Sequence, residues 1–385
     1  MSKKIKMGLV GGGPGSFIGP VHVRAAIMDG DIELVCGAFD SDPQKSKAAA
    51  DVFHVDPDRA YGTWEEMFEK ESALPEDKRM EFISITTPNH LHYPIAIAAL
   101  EKGFNVVCEK PVTISRDEAE KLAEKVDESG LLFALTHTYT GYPMVKEAKY
   151  LVSKNQIGNV RRIVVEYPQG WLSTPVEKTG NRQAEWRADP KYNGPGGCLG
   201  DIGVHAENLA EYITGLQISE LCADVNSFVP GRALDDDVSV LLRFEGGAKG
   251  VLWASQVAAG EENDINIRVY GEKGSLAWRQ QEPNTLILRM LDKPAQILRA
   301  GGNHEYLSEI AKFNIRIPGG HPEGYIEAFA NIYKNMALAI KQRRENLPVD
   351  PAYLDFPTVH DGVRGMRFIE KVIESAGSRD KWLKF

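Results

Sequence analysis

Three side chains stand where the sequence concentrates chemistry. Asp201 and His205 lie four residues apart in Gly200-Asp201-Ile202-Gly203-Val204-His205, a spacing that puts both on one face of a helix. An imidazole with an unperturbed pKa of about 6.5 suits proton transfer near neutral pH. Lys110 closes the apolar run Val106-Val107-Cys108-Glu109-Lys110-Pro111. A lysine half out of water beside a cationic ring releases its proton more readily, so it too suits such a transfer. Each also has a plain structural reading: a lysine ending a strand, a helix cap and a satisfied histidine.

A second set of residues points to a cofactor. Gly11-Gly12-Gly13-Pro14-Gly15-Ser16-Phe17-Ile18-Gly19 follows a strand-like run over 5–10 and precedes a helix expected from Pro20. Glycines at such a turn let backbone amides reach a pyrophosphate, whose charge the helix N-terminus stabilises. Gly11 and Gly13 fit the first two positions of G-x-G-x-x-G, but the third falls on Ser16, with Gly19 three residues later. The loop is thus three residues longer than the fingerprint, and Gly15, Ser16, Phe17 and Ile18 join Gly11 and Gly13 as expected dinucleotide contacts. Asp40, at the end of the second strand, would accept from the adenosine ribose diol and repel a 2′-phosphate, which favours NAD. Ser41, Lys45 and Lys47 leave NADP open, and a helix N-terminal charge is the other reading of Asp40. Thr87, Asn89 and His92, in Thr87-Pro88-Asn89-His90-Leu91-His92, follow a third strand. They would face ribose or nicotinamide, or cap the next helix.

The elements that must position these residues alternate over the first third of the chain. Strand-like runs at 5–10, 32–38, 82–86, 105–108 and 131–135 are separated by helix-like stretches, which predicts a doubly wound parallel sheet covered on both faces. From about Tyr139 the rhythm changes. A loop rich in Gly, Pro and Asn spans 169–199, a short helix follows over 201–214, and runs with period-2 character between 220 and 290 predict an antiparallel or mixed sheet. Two amphipathic helices near 325–341 and 356–375 close the chain. The expected domains are 1–138 and 139–385.

Composition narrows the class. The chain has 385 residues, 43% hydrophobic and 26% charged, enough for two large cores without disulfides. Its net charge, 45 − 54 = −9, disfavours nucleic acid and anionic membrane as partners. The four cysteines (Cys36, Cys108, Cys198, Cys222) form no CxxC pair, which argues against a zinc knuckle and suits a reducing, cytoplasmic setting. The first ten residues lack the apolar core of a signal peptide. The uncharged stretch 82–100 carries Pro88, Asn89, His90, His92 and Pro94, which no lipid-exposed span tolerates cheaply. His205, Asp201, His321 and Glu323 include the types of a two-His-plus-carboxylate centre, but at no diagnostic spacing, so no metal is expected.

Four motifs occur in order: Gly19-x-x-His22 ending the glycine loop, Thr87–His92, Glu109-Lys110-Pro111, and Gly200–His205. Together they resemble the glucose–fructose oxidoreductase/inositol dehydrogenase (Gfo/Idh/MocA) family over nearly the whole chain. The resemblance implies an N-terminal Rossmann domain and a C-terminal α/β domain with an open, mostly antiparallel sheet that supports homodimers or homotetramers. It implies Lys110, Asp201 and His205 as the catalytic set, with His205 the general base and the other two positioning substrate. It also implies a cis Lys110–Pro111 bond. Trp186-Arg187 is similar to a family segment that touches cofactor and substrate, and Glu109 would lie at the cofactor with Lys110. Tyr139, Tyr142, His137, His321, Glu323 and Tyr325 are further candidates around the substrate, or else packing residues. The expected activity is hydride transfer between NAD(P) and a secondary hydroxyl of a sugar, cyclitol or glycoside. An NAD-assisted glycosidase and a non-enzymatic dinucleotide sensor are the alternatives. Intact Lys110, Asp201 and His205 weigh against the sensor.

Overall fold

The computed structural model describes residues 3–385, and its backbone contacts divide the chain into two compact units. In the first, β1 (Ile5–Gly11), β2 (Ile32–Ala38), β3 (Phe82–Thr86), β4 (Asn105–Cys108) and β5 (Phe133–Leu135) form a parallel sheet in the order β2-β1-β3-β4-β5. Their side chains are mostly buried, fully in β3 and β5 and least in β2, as a parallel sheet covered on both faces requires. The strand order reverses between β1 and β3, so the turns after these two strands flank the crevice where doubly wound sheets bind ligands. Helix α1 (Ile18–Ile27) follows the glycine turn and buries Val21, His22, Ala25 and Ala26.

One cover of this sheet comes from far along the chain. The helix Tyr325–Arg344 places Phe329, Ala330, Tyr333, Met336 and Ala337 in one core with Ile5, Met7, Val21 and Ala25. The first unit accordingly includes Tyr325–Val363, and the second comprises Ile114–Arg116, Tyr139–Gly324 and Arg364–Phe385. The expectation of one continuous domain over 139–385 does not hold for this returning segment. An amphipathic period marks a face to be buried but says nothing of what it is buried against.

The second unit is built on a nine-stranded sheet. Its strands are β6 (Val160–Pro168), β7 (Ile218–Asn226), β8 (Asp237–Phe244), β9 (Lys249–Ser255), β10 (Asn266–Gly271), β11 (Gly274–Arg279), β12 (Thr285–Met290), β13 (Gln296–Arg299) and β14 (Leu383–Lys384). Their order is β13-β12-β11-β10-β6-β9-β8-β7-β14, and every neighbouring pair is antiparallel except β6 with β9. β13 and β14 were not expected; they are short edge strands with largely exposed side chains and so carry no hydrophobic alternation.

The stretch 169–199 is less irregular than its composition implies. Asn181 accepts from the amides of Gln183 and Ala184 to start the helix Arg182–Arg187, and Asp189 caps the turn Pro190–Asn193. The helix expected over 201–214 begins as a π-helical turn, Leu199–Gly203, before continuing as α2 (Val204–Thr214). No helix among the described residues is long and apolar enough to cross a membrane.

Candidate active site

In the first unit the glycine turn is compressed between strand and helix. A Cβ on Gly19 would lie 2.0 Å from the Gly12 carbonyl oxygen, and one on Gly12 would lie 2.7 Å from the Gly19 Cα. Gly19, not Ser16, therefore holds the close helix–strand contact that the third fingerprint glycine makes. Ser16 Oγ instead accepts from the Gly19 amide at 3.3 Å. The Gly13 amide donates to Phe39 O at 2.9 Å, tying the turn to the end of β2. Nothing lies within 4 Å of a Cβ built on Gly15, and Phe17, which precedes α1, is 67% exposed. A backbone cradle with space above it, ahead of a ten-residue helix, fits a dinucleotide pyrophosphate. Asp40 accepts from the Asp42 amide at 2.9 Å, while Asp42 itself caps the next helix through the amides of Gln44 and Lys45. The helix-capping role thus belongs to Asp42.

The turns after β3 and β4 are fastened together. His92 is fully buried, with Nδ1 2.8 Å from Pro111 O and Nε2 3.0 Å from Thr87 O. Burial lowers its pKa, so the neutral ring donates to one of these carbonyls. As a cofactor contact His92 is corrected: with no exposed surface it braces the two turns instead. Thr87 stands against Gly11, Asn89 is buried in a short 3-10 turn, and the Lys110–Pro111 bond is cis.

Glu109 also joins a largely buried network. Its Oε1 faces His22 Nε2 at 2.9 Å and accepts from Thr136 Oγ1 at 2.5 Å. His22 Nδ1 meets the Tyr333 hydroxyl at 2.6 Å, which meets Ser84 Oγ at 2.7 Å. Burial pushes the Glu109 carboxyl up, but the hydrogen bond and charge of His22, with Lys110 and Thr136, outweigh it and hold it at about 2. Its side chain is 13% exposed. Glu109 is therefore an anchor for the turn carrying Lys110. Burial and the charge of Lys110 hold the neighbouring His137 neutral, with its pKa down at about 3.

In the second unit, Asp201 and His205 stand on consecutive helical turns. Asp201 Oδ2 accepts from Gln256 Nε2 at 2.8 Å and lies 3.4 Å from Arg187 Nε. The Arg187 guanidinium covers the Trp186 ring at 4.1 Å. His205, 7% exposed, meets the Tyr139 ring edge-on at 4.9 Å and the Tyr167 ring at 6.2 Å. The Tyr139 and Tyr167 hydroxyls are hydrogen-bonded to each other, and Tyr167 donates to Asn263 Oδ1 at 2.8 Å. Asp201, His205, Arg187 and Tyr139 thus lie within two adjoining side-chain networks of this unit.

Other expected substrate contacts lie elsewhere. Tyr142, 1% exposed, stacks on Tyr139 and packs against Trp278, so it supports the Tyr139 ring from the core. His321 is exposed on a turn, its Nδ1 3.2 Å from Pro318 O, and Glu323 accepts from the amides of Arg316 and Ile317. Tyr325 stacks on Phe17 in the first unit. Among the described residues no group of three or more His, Cys, Asp or Glu is placed to hold a metal ion.

A family model described as an oxidoreductase family with an NAD-binding Rossmann fold (GFO_IDH_MocA) matches residues 5–137, and a Gfo/Idh/MocA C-terminal domain model matches 145–277. An uncharacterised oxidoreductase of Bacillus subtilis is 32% identical over 388 residues, spanning 100% of this chain and 98% of its own. This chain belongs to the Gfo/Idh/MocA family. Among solved structures, an inositol dehydrogenase homologue from Azotobacter vinelandii, complexed with NADH and myo-inositol, superposes with a TM-score of 0.91 at 35% identity, over 100% of this chain and 98% of that one. An oxidoreductase from Sinorhizobium meliloti gives 0.88 at 42% identity over the whole of both chains. The chain is an oxidoreductase whose first unit is an NAD-binding Rossmann domain.

This Gfo/Idh/MocA chain also holds polar residues that sequence reasoning missed: Tyr167, Gln256 and Asn263. Tyr167 and Gln256 sit at or just beyond the carboxyl ends of β6 and β9, the parallel pair of the second sheet. Strand ends of that kind are where α/β sheets place ligands. The pairing itself has no sequence signal, because a parallel neighbour inside an antiparallel sheet leaves the period unchanged.

Proposed function

We propose that this protein oxidises a secondary hydroxyl of a cyclitol or sugar with NAD, and reduces the corresponding ketone in reverse. The observation that supports it most is the second unit's pairing of an aromatic-walled histidine with an aspartate held by an arginine and a glutamine. A polyol ring, with apolar faces and a hydroxyl rim, matches such mixed walls. Bound NAD would supply the hydride acceptor. Gly11, Gly13, Gly15, Ser16 and the start of α1 would hold its pyrophosphate, and Asp40 its adenosine ribose.

His205 takes the hydroxyl proton. Tyr139 and Tyr167 fix the imidazole plane, so its basic nitrogen stays aimed while the proton moves. Asp201 and Lys110 hold the reacting oxygen, and Arg187 with Gln256 orients the Asp201 carboxylate. Trp186 and Arg187 border the same substrate. The Azotobacter complex with myo-inositol supports a cyclitol as the first substrate to try. We also place the protein in the cytoplasm, as a homodimer or homotetramer.

A panel of inositols, aldoses and their glycosides, followed by NADH absorbance with NAD and NADP in parallel, tests the reading. Oxidation of at least one polyol is expected. Sugar release from a glycoside without net NADH, or dinucleotide binding with no turnover on any member, would overturn it. Lys110→Ala is expected to bind dinucleotide normally and lose at least a hundredfold in kcat, on the scale typical of a proton-transfer or positioning group. Near-normal turnover would remove Lys110 from the mechanism.

A further inference from the structure

Leu234-Asp235-Asp236-Asp237 puts three successive carboxylates at the start of β8. Such a run ordinarily stays in water, yet Asp236 is fully buried and Asp235 only 9% exposed. Each carboxylate holds a different part of the second unit. Asp237 accepts from Trp253 Nε1 at 3.0 Å. Asp236 accepts from the amides of Phe228 and Val229 and from Arg232. Arg232 in turn reaches Leu172 O, Thr174 O and Glu177 in the segment leading to Trp186 and Arg187.

Asp235 acts on the turn that carries Asp201. Its Oδ1 accepts from the Gly197 amide at 2.6 Å and its Oδ2 from the Leu199 amide at 2.7 Å, while its own carbonyl accepts from Cys198 N at 2.9 Å. The π-helical turn has no local side-chain cap at Cys198, so this distant carboxylate does the capping. The fit is close: a Cβ on Gly197 would lie 2.2 Å from Asp235 O. From the clamped segment the Gly197 carbonyl accepts from Asp201 N at 2.9 Å. The adjacent residue serves the other side of the same aspartate. Asp236 O accepts from the Gln256 amide at 2.8 Å, and the Gln256 side chain donates to Asp201 Oδ2.

We propose that Asp235 is a positioning residue for Asp201, setting the backbone of the 197–201 turn so that the Asp201 carboxylate meets Gln256, Arg187 and the substrate hydroxyl in one fixed geometry. The inference rests on the catalytic reading of Asp201 given above. Misplacement of a reacting group by about 1 Å costs on the order of a hundredfold in rate, so loosening the clamp is expected to act on kcat.

The test is Asp235→Asn, which keeps the volume but turns an NH2 group toward one of the two amides that need an acceptor. Expected are a retained fold, unchanged dinucleotide affinity, a substrate KM within about threefold of wild type and a kcat lowered by about 10–100-fold. Hydrogen exchange should rise in the peptide covering 197–205 while that of 5–137 stays the same, a readout that needs no substrate. Asp201→Asn is measured alongside, with the double variant. If Asp235 works through Asp201, the second substitution adds little to the first. Wild-type kcat in Asp235→Asn, unchanged exchange at 197–205, or fully additive losses would overturn the proposal. If Asp201→Asn itself keeps wild-type turnover, it is the catalytic reading that has failed. Should Asp235→Asn not fold, Asp235→Ser is judged by the same criteria, and failure of both to fold would leave a scaffold role in place of positioning.

Discussion

Each unit buries one carboxylate next to a proposed catalytic residue, and the two are treated in opposite ways. Glu109, beside Lys110, is held at about 2 despite its burial, because His22, Lys110 and Thr136 all favour its charge. Asp235, below Asp201, has only backbone amides as hydrogen-bond partners and a second carboxylate next to it in Asp236. Burial pushes it up to about 6, and the amides of Leu199 and Gly197 only limit the rise. The same desolvation thus yields a fixed anion in one unit and a titratable one in the other, and the partners decide which. The first arrangement suits a turn that must stay rigid beside a lysine. The second spends stability to brace a backbone turn with a carboxylate.

The largest effect should come from removing the partner of a buried charge. Glu109→Ala leaves His22 Nε2 without its acceptor, while Thr136 Oγ1 keeps Cys108 O at 3.2 Å, and should cost about 3–5 kcal/mol. Asp235→Ala strands two amides but relieves an unfavourable charge, so its net cost should be smaller. Denaturant unfolding of the two variants at pH 7 checks the order. A costlier Asp235→Ala would mean that the backbone clamp, and not the ion pair, is the stronger anchor.

The two carboxylates should also tilt the pH dependence in opposite directions. Glu109 is lowered from 4.5, so its contribution is complete above pH 4.5 and is lost as pH falls toward 2, on the order of 3 kcal/mol. Asp235 is raised from 3.8, so its contribution is complete below pH 3.8 and is lost as pH rises through 6, again on the order of 3 kcal/mol. Stability of wild type relative to Asp235→Asn should therefore increase from pH 7 to pH 4. Relative to Glu109→Gln it should decrease from pH 5 to pH 2. Parallel curves for either variant would show that the corresponding group does not titrate as described.

How far these arrangements were legible in the sequence follows the same division. The nearly all-apolar strands and the glycine turn announced the first unit, whereas the spacing of Asp201 and His205 alone read as a helix cap and a packed histidine, and only the resemblance singled the pair out. His22 and Lys110 were marked as motif residues, but the network joining them was not: His22 reaches Lys110 through the adjacent Glu109, and its other nitrogen is held by Tyr333, 311 residues beyond it. The helix carrying Tyr333 has an amphipathic pattern that serves either unit equally well, which is why it was assigned to the wrong one. His92 is a polar residue beyond a strand end, and composition cannot separate one that faces a ligand from one that faces the interior. The Asp235–Asp237 run was overlooked for the converse reason: consecutive like charges read as solvated until the fold surrounds them with amides.

The smallest effect sharpens the view of Glu109 as the fixed member of the pair. Tyr333→Phe removes one hydroxyl from a side chain whose ring stays packed among His22, Phe82 and the core of the first unit. His22 Nδ1 then loses its 2.6 Å partner, but Ser84 Oγ already lies 3.4 Å away and needs only a small shift to replace it. The net cost of one such buried bond is about 1 kcal/mol, and partial replacement by Ser84 keeps it at or below that. Adding Ser84→Ala leaves the imidazole without either partner, so the double variant should lose clearly more than the sum of the single ones. Denaturation midpoints of the three variants decide it. Turnover should stay within a few-fold in Tyr333→Phe, because Glu109 keeps both His22 Nε2 and Thr136. A large kcat loss there would mean that the hydroxyl chain from Ser84 to Glu109 governs Lys110 directly, and that the first unit's anchor is as adjustable as the second's.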